Sequence, residues 1–191
     1  MFGQKRGASV SHWSVAVIAS CLVIGLSGCV ANSSVKPSSA PSSSETTVAL
    51  SEKEALDAMR AAYEAYVEVS DQVYSEGGTK AERIDDVAVG SAAEDFKAAA
   101  FDLESRGFRT IGATTTDSFR LQNVVGAESD TMTVTAYVCS DVSAVDVVDA
   151  GGVSQVSADR NARTPYEVVV EVKAQKALVV SRDVWVGDNY C

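Results

Sequence analysis

Residues 108–141, FRTIGATTTDSFRLQNVVGAESDTMTVTAYVCSD, mark where the chain stops reading as helix and starts reading as strand. Val, Thr and aromatic residues dominate the stretch, the types that fit a pleated, half-buried backbone. Met132, Val134, Ala136 and Val138 alternate with three threonines and a tyrosine, the period of two that puts one set on a buried face. Strands are predicted over Arg109–Thr116, Phe119–Val125 and Thr131–Ser140, with Gly126–Asp130 as a hairpin link. Downstream, Pro165–Ala174 and Ala177–Val186 read the same way across a link at Gln175 and Lys176. Val168, Val170 and Val172 oppose Glu167, Glu171 and Lys173, so the sheet should have one buried face and one partly solvated face open to a partner.

Upstream of Phe108 the period changes. Ser51 with Glu54 three residues later is a capping-box pattern. Leu56, Met59, Tyr63, Tyr66, Val67, Val73 and Tyr74 then recur at helical spacing up to Gly77 and Gly78, which predicts a helix of about 25 residues. After a short segment at Ile84–Val89, Ser91 and Glu94 repeat the capping pattern. Phe96, Ala99, Ala100 and Leu103 form a stripe, and Gly107 is the stop. No internal repeat is seen. Two or three helices followed by about five strands indicate an α+β fold, with helices packed on one face of an antiparallel sheet.

Ahead of this domain lie two segments of different character. Lys5 and Arg6 precede an apolar run from Val15 to Leu26. That run is too short for a bilayer-spanning helix, which needs about 20 residues, and suits a secretory signal. Leu26, Ser27, Gly28 and Cys29 resemble the lipobox of bacterial lipoproteins. The resemblance implies cleavage after Gly28, a diacylglyceryl group on Cys29 and anchorage in the outer leaflet of the cell membrane. A plain secretory signal that happens to hold Cys29 is the alternative. Two acyl chains would suffice for stable anchoring, since each buried methylene is worth about 0.8 kcal/mol. Residues 29–47 are rich in Ser with Pro37 and Pro41; they read as a flexible tether of roughly 25 Å mean span, with O-glycosylation left open. The folded domain is expected over 48–191.

The formal net charge of −10 argues against nucleic-acid binding, which needs a concentrated basic surface. The single histidine, His12, falls in the signal. Without it a Ser-His-Asp triad, a Cys-His pair and a histidine zinc site are closed to the mature chain. Cys21 also falls in the signal, as a small hydrophobe. Once Cys29 is acylated, Cys139 and Cys191 are the remaining thiols, and in an oxidising compartment a disulfide between them is expected. Two sulfurs without histidine do not complete a zinc shell, and no Cys-x-x-Cys spacing suggests a redox pair. Asp141, Asp146 and Asp149 cluster after the third strand but lack the alternating ligand pattern of a calcium loop, so a solvated acidic loop is expected. Gly151 and Gly152 read as a turn and not as a phosphate cradle. No cofactor or metal is expected.

The order of elements resembles the nuclear-transport-factor-2-like, or cystatin-like, cone, as found in lipoproteins of Gram-positive actinobacteria. The likeness rests on the long aromatic first helix, TVTAYVCSD at Thr133–Asp141, VDVVDAGG at Val145–Gly152 and DVWVGDNYC at Asp183–Cys191. It implies helices lying across a strongly curved sheet. Tyr63, Tyr66, Tyr166 and Trp185 are then candidates to line the mouth of the cone, or else to pack helix on sheet. Some enzymes of that superfamily, dehydratases and ketosteroid isomerases, use Asp with Tyr or His around an apolar pocket. Their motif has no counterpart here, so no catalytic residue is carried over. The expected function is a non-catalytic binding module for an envelope protein or a small apolar ligand. The alternatives are a lyase- or isomerase-type enzyme using Asp and Tyr, and a structural envelope component. A deep pocket with a buried carboxylate near a tyrosine hydroxyl would favour the enzyme, and a filled cone the binding module. Partner identity and oligomeric state stay open.

Overall fold

Ser51 caps the first helix, α1 (Glu52–Ser75), through both arms of the capping box: the Glu54 amide donates to the Ser51 hydroxyl, and the Ser51 amide donates to the Glu54 carboxylate at 2.8 Å. A computed structural model of the protein describes residues 51–127, 129–174 and 176–191, all within one unit, Ser44–Cys191. The predicted signal 1–28, Cys29 and the tether to residue 47 lie outside the described residues. Among those described, no helix is long and apolar enough to cross a membrane.

The helix ends where the sequence reading put its stop. Gly78 has a φ of +83°, and a Cβ there would lie 2.1 Å from the Ala100 carbonyl oxygen. A side chain at that position would push α1 off the second helix, α2 (Gly90–Arg106). A 3-10 turn at Ala81–Asp86 connects the two. The start of α2 differs from expectation. Val89 is its N-cap, without a side-chain cap, and Ser91 sits inside the helix with its hydroxyl directed to the Val180 carbonyl at 3.4 Å. Of the predicted stripe, Phe96 and Ala100 are buried, whereas Ala99 is exposed.

Six strands follow, one more than expected. The predicted strand Arg109–Thr116 is two pieces: β1 (Arg109–Ile111), and the beginning of β2 (Thr115–Val125). Gly112 lies between them at φ +87°, so close to the next segment that a Cβ would meet the Ala144 carbonyl oxygen at 1.9 Å. β1 pairs antiparallel with β4 (Asp146–Val148) as a separate ribbon, where an acidic loop was expected. The main sheet is antiparallel in the order β2, β3 (Thr131–Asp141), β5 (Arg163–Lys173) and β6 (Lys176–Val184). Its outer strands carry the irregularities. β2 shifts register between Asp117 and Arg120 and again between Leu121 and Asn123, and β6 carries one extra residue, Val180, opposite Val169/Val170. Bulges bend and twist a strand, and these curve the sheet around the helices.

The core is the layer between. Met59, Ala62, Tyr63, Tyr66 and Val73 of α1 and Phe96 of α2 meet Val134, Ala136, Val138, Val168, Val170 and Val179 of the sheet, and all are buried. This bears out the alternation read in β3 and β5. The opposite face is covered in part by residues 185–191. Trp185 and Tyr190 pack on Tyr137 with ring centroids 4.5 and 5.7 Å apart, and Cys191 forms the expected disulfide with the buried Cys139 at a Cα separation of 5.6 Å.

Two changes test this framework. Gly78→Ala should lower stability by about 2–4 kcal/mol, from backbone strain and overpacking together; a denaturant titration matching the wild type would contradict the packing described. Cys191→Ser opens a loop of 52 residues in sequence separation and should cost up to about 4 kcal/mol, read as an unchanged helical spectrum with a lower melting temperature.

Candidate functional site

Where α1 leaves the end of the sheet, a cavity of about 270 Å³ opens. Its floor is the C-terminal half of α1, at Tyr66, Val67, Ser70 and Tyr74. The ribbon supplies the opposite wall through Thr110 and Val147, with Val142 and Val145 beside it. Asp71 of α1 holds the β1–β2 loop in place: its two oxygens accept from the Thr114 amide and hydroxyl, each at 2.8 Å. On the far side of Val67 and Asp71 lies a shallower groove of about 470 Å³ that also presents Glu64 and Glu68. The two depressions share a wall but differ in charge.

Arg182 and Arg160 bring positive charge to the cavity. Arg160 is spent on structure, its Nη2 donating to the Val142 and Val145 carbonyls at 2.9 and 2.8 Å. Arg182 points inward from β6, stacked on Tyr166 with its Cζ 3.4 Å from the ring centroid, and its Nε donates to the Tyr63 hydroxyl at 2.8 Å. Among the described residues that is its one side-chain hydrogen bond, and no carboxylate lies within 4.0 Å of it. Burial pushes the Tyr63, Tyr66 and Tyr74 hydroxyls up from their ordinary value, with Arg182 opposing the shift. These phenols therefore stay neutral and can donate. Ser140, also on the cavity wall, is buried and near enough to the Tyr63 hydroxyl to draw its pKa down, yet among the described residues its Oγ has no partner within hydrogen-bond geometry.

Of the four aromatics singled out from sequence, Tyr66 lines the cavity. Tyr63 and Tyr166 stand behind it and hold Arg182. Trp185 belongs elsewhere, on the opposite face of the sheet against Tyr137: its amide still donates to the Pro165 carbonyl of β5, and beyond the extra residue Val180 odd positions face away from the helices. The acidic cluster is dispersed into turns and ion pairs. Asp141 pairs with Arg163 at 2.8 Å, Asp146 accepts from Ser154, and Asp149 accepts from the Gly151 and Val153 amides. Among the described residues no three His, Cys, Asp or Glu side chains converge as a metal site. Arg182, Ser140, Arg160 and Asp71 were not picked out from sequence. An arginine inside a valine-rich strand was the available signal, but the Val180 bulge hid which way it faces.

No protein-family model matches the chain, and no curated protein matches it. Among solved structures, it is similar to the intermembrane space region of chloroplast protein ARC6, at 12% identity over 69% of this chain and 97% of that one, with a TM-score of 0.48.

Asp141 offers a check on the geometry. The Ser143 hydroxyl and amide, and then Arg163, hold its carboxyl at about 2, below its ordinary 3.8. A carboxyl lowered on folding stabilises the fold above its unfolded value, and that contribution is lost as pH falls from about 4 to about 2. An NMR titration should place Asp141 near 2. Arg163→Met should move it only part of the way back, since Ser143 remains.

Proposed function

We propose that the chain is an extracytoplasmic lipoprotein, tethered to the membrane through Cys29, whose α+β domain is a cone of the nuclear-transport-factor-2-like kind. In this reading the domain is a non-catalytic binding module for a small apolar ligand. The cavity between α1 and the ribbon is the observation that carries it, with Val67, Val142, Val145 and Val147 in its walls. At about 270 Å³ it lies just below the size usual for small-molecule sites, whose walls are mostly apolar with a few placed polar groups. Asp71, the carboxylate at the cavity, has both oxygens engaged by Thr114, which supports binding over an Asp-and-Tyr enzyme. The outer sheet face, the alternative place for a protein partner, carries the chain's own Trp185 and Tyr190 along Tyr137.

Two measurements test the proposal. In cells, Cys29→Ser should abolish labelling by a lipid precursor and release the protein from the membrane fraction; a variant that stays bound and labelled refutes the anchor. In vitro, the uncharged dye N-phenylnaphthylamine should brighten on mixing with the full chain. Val67→Trp, which fills the cavity from the helix side, should weaken that response by about tenfold, the equivalent of 1.4 kcal/mol. Equal responses would place the dye outside the cavity.

A further inference from the structure

Resting on the reading of this cavity as a ligand site, we infer that its ligand carries an anionic head, a carboxylate on a short apolar body, received by Arg182 and Ser140. Arginine does not deprotonate in proteins, and its guanidinium offers five N–H donors in a planar fork. Among the described residues one of the five is engaged, by the Tyr63 hydroxyl. The Tyr166 ring takes the face of the guanidinium and leaves its edge free. A partly buried charge without a counter-ion is costly, and no carboxylate of the described chain reaches it.

Ser140 is the second, independent observation. It is 3% exposed, and among the described residues its Oγ has no hydrogen-bond partner, the adjacent Tyr63 hydroxyl falling outside hydrogen-bond geometry. A buried hydroxyl left unmatched costs about 1–3 kcal/mol, so such groups call for an explanation. Ser140 and Arg182 line the same cavity. Asp71, whose two oxygens accept from Thr114, forms no ion pair with the arginine. A carboxylate accepts from both a guanidinium edge and a hydroxyl, and neutral Tyr66 can add a third donor. The valines on the ribbon side then receive the body, and about 270 Å³ suits a medium-length chain or a single ring.

Octanoate and octanol share a body and differ in the head, so calorimetric titration of the full chain with each separates charge from apolarity. Octanoate should bind at least tenfold more tightly at neutral pH, the worth of one hydrogen bond to a charged group. Arg182→Gln should erase that preference. Since Arg182 also supports Tyr63, Ser140→Ala serves as the second variant. It removes an unmatched hydroxyl, so the unliganded protein should melt at the same temperature or higher, while octanoate affinity falls about tenfold and octanol affinity holds. Equal binding of the two probes, unmoved by Ser140→Ala, would overturn the anion site and leave an apolar pocket standing. Binding of neither would overturn the ligand-pocket reading and this inference with it.

Discussion

The hydroxyl of Tyr63 accepts a hydrogen bond from Arg182 across the interior of the domain, and helix, sheet edge and cavity meet at that contact. Tyr63 is fully buried in the middle of α1, where a phenol needs a partner for its oxygen. Arg182 cannot shed its charge, so it needs an acceptor and a polarisable surface. Each supplies what the other lacks, and Tyr166 completes the set from the neighbouring strand. The contact fixes the position of α1 along the sheet. It also holds the guanidinium at the cavity wall and prevents it from swinging out to solvent.

What brings Arg182 inward is one extra residue. Along β6, Ala177 and Val179 pair with Val172 and Val170 of β5, so odd positions face the helices at that end. Val180 is then unmatched, and from there Arg182 pairs with Val168, so even positions face inward. A bulge reverses the facing of every side chain beyond it. β2 does this twice: Thr116, Leu121 and Val124 pair with the inward Ser140, Ala136 and Val134.

These reversals separate what was legible in the sequence from what was not. Local signals were readable because their causes are local: the capping box at Ser51, the glycine stops, and unbroken alternation in β3 and β5. The disulfide followed from counting thiols. The cap of α2 was misread, since Ser91 answers to the Val180 carbonyl, a partner distant in sequence. The β1–β4 ribbon went unseen because three-residue strands carry no period. Facing in β6 depended on the bulge, and with it went the arginine around which the site is built. Trp185, read as lining the mouth or packing helix on sheet, falls at an odd position beyond the same bulge and so faces outward, where Tyr137 and the Cys139 disulfide hold the terminal segment.

The two sheet faces thus do different work. The outer one is sealed in part by the chain's own terminal segment, and the inner one opens onto a cavity whose charge opposes that of the protein as a whole. With 26 acidic against 16 basic residues, the distant field repels an anion. At physiological salt, charges beyond about 8 Å are largely screened, whereas contacts inside a partly dehydrated cavity are not. The balance there is set by two guanidinium groups, Arg182 and Arg160, against the one carboxylate of Asp71 among the residues lining the cavity. Net charge therefore governs what approaches the surface, and the local arrangement governs what stays. An acidic protein can hold an anion where its backbone turns one unmatched arginine inward.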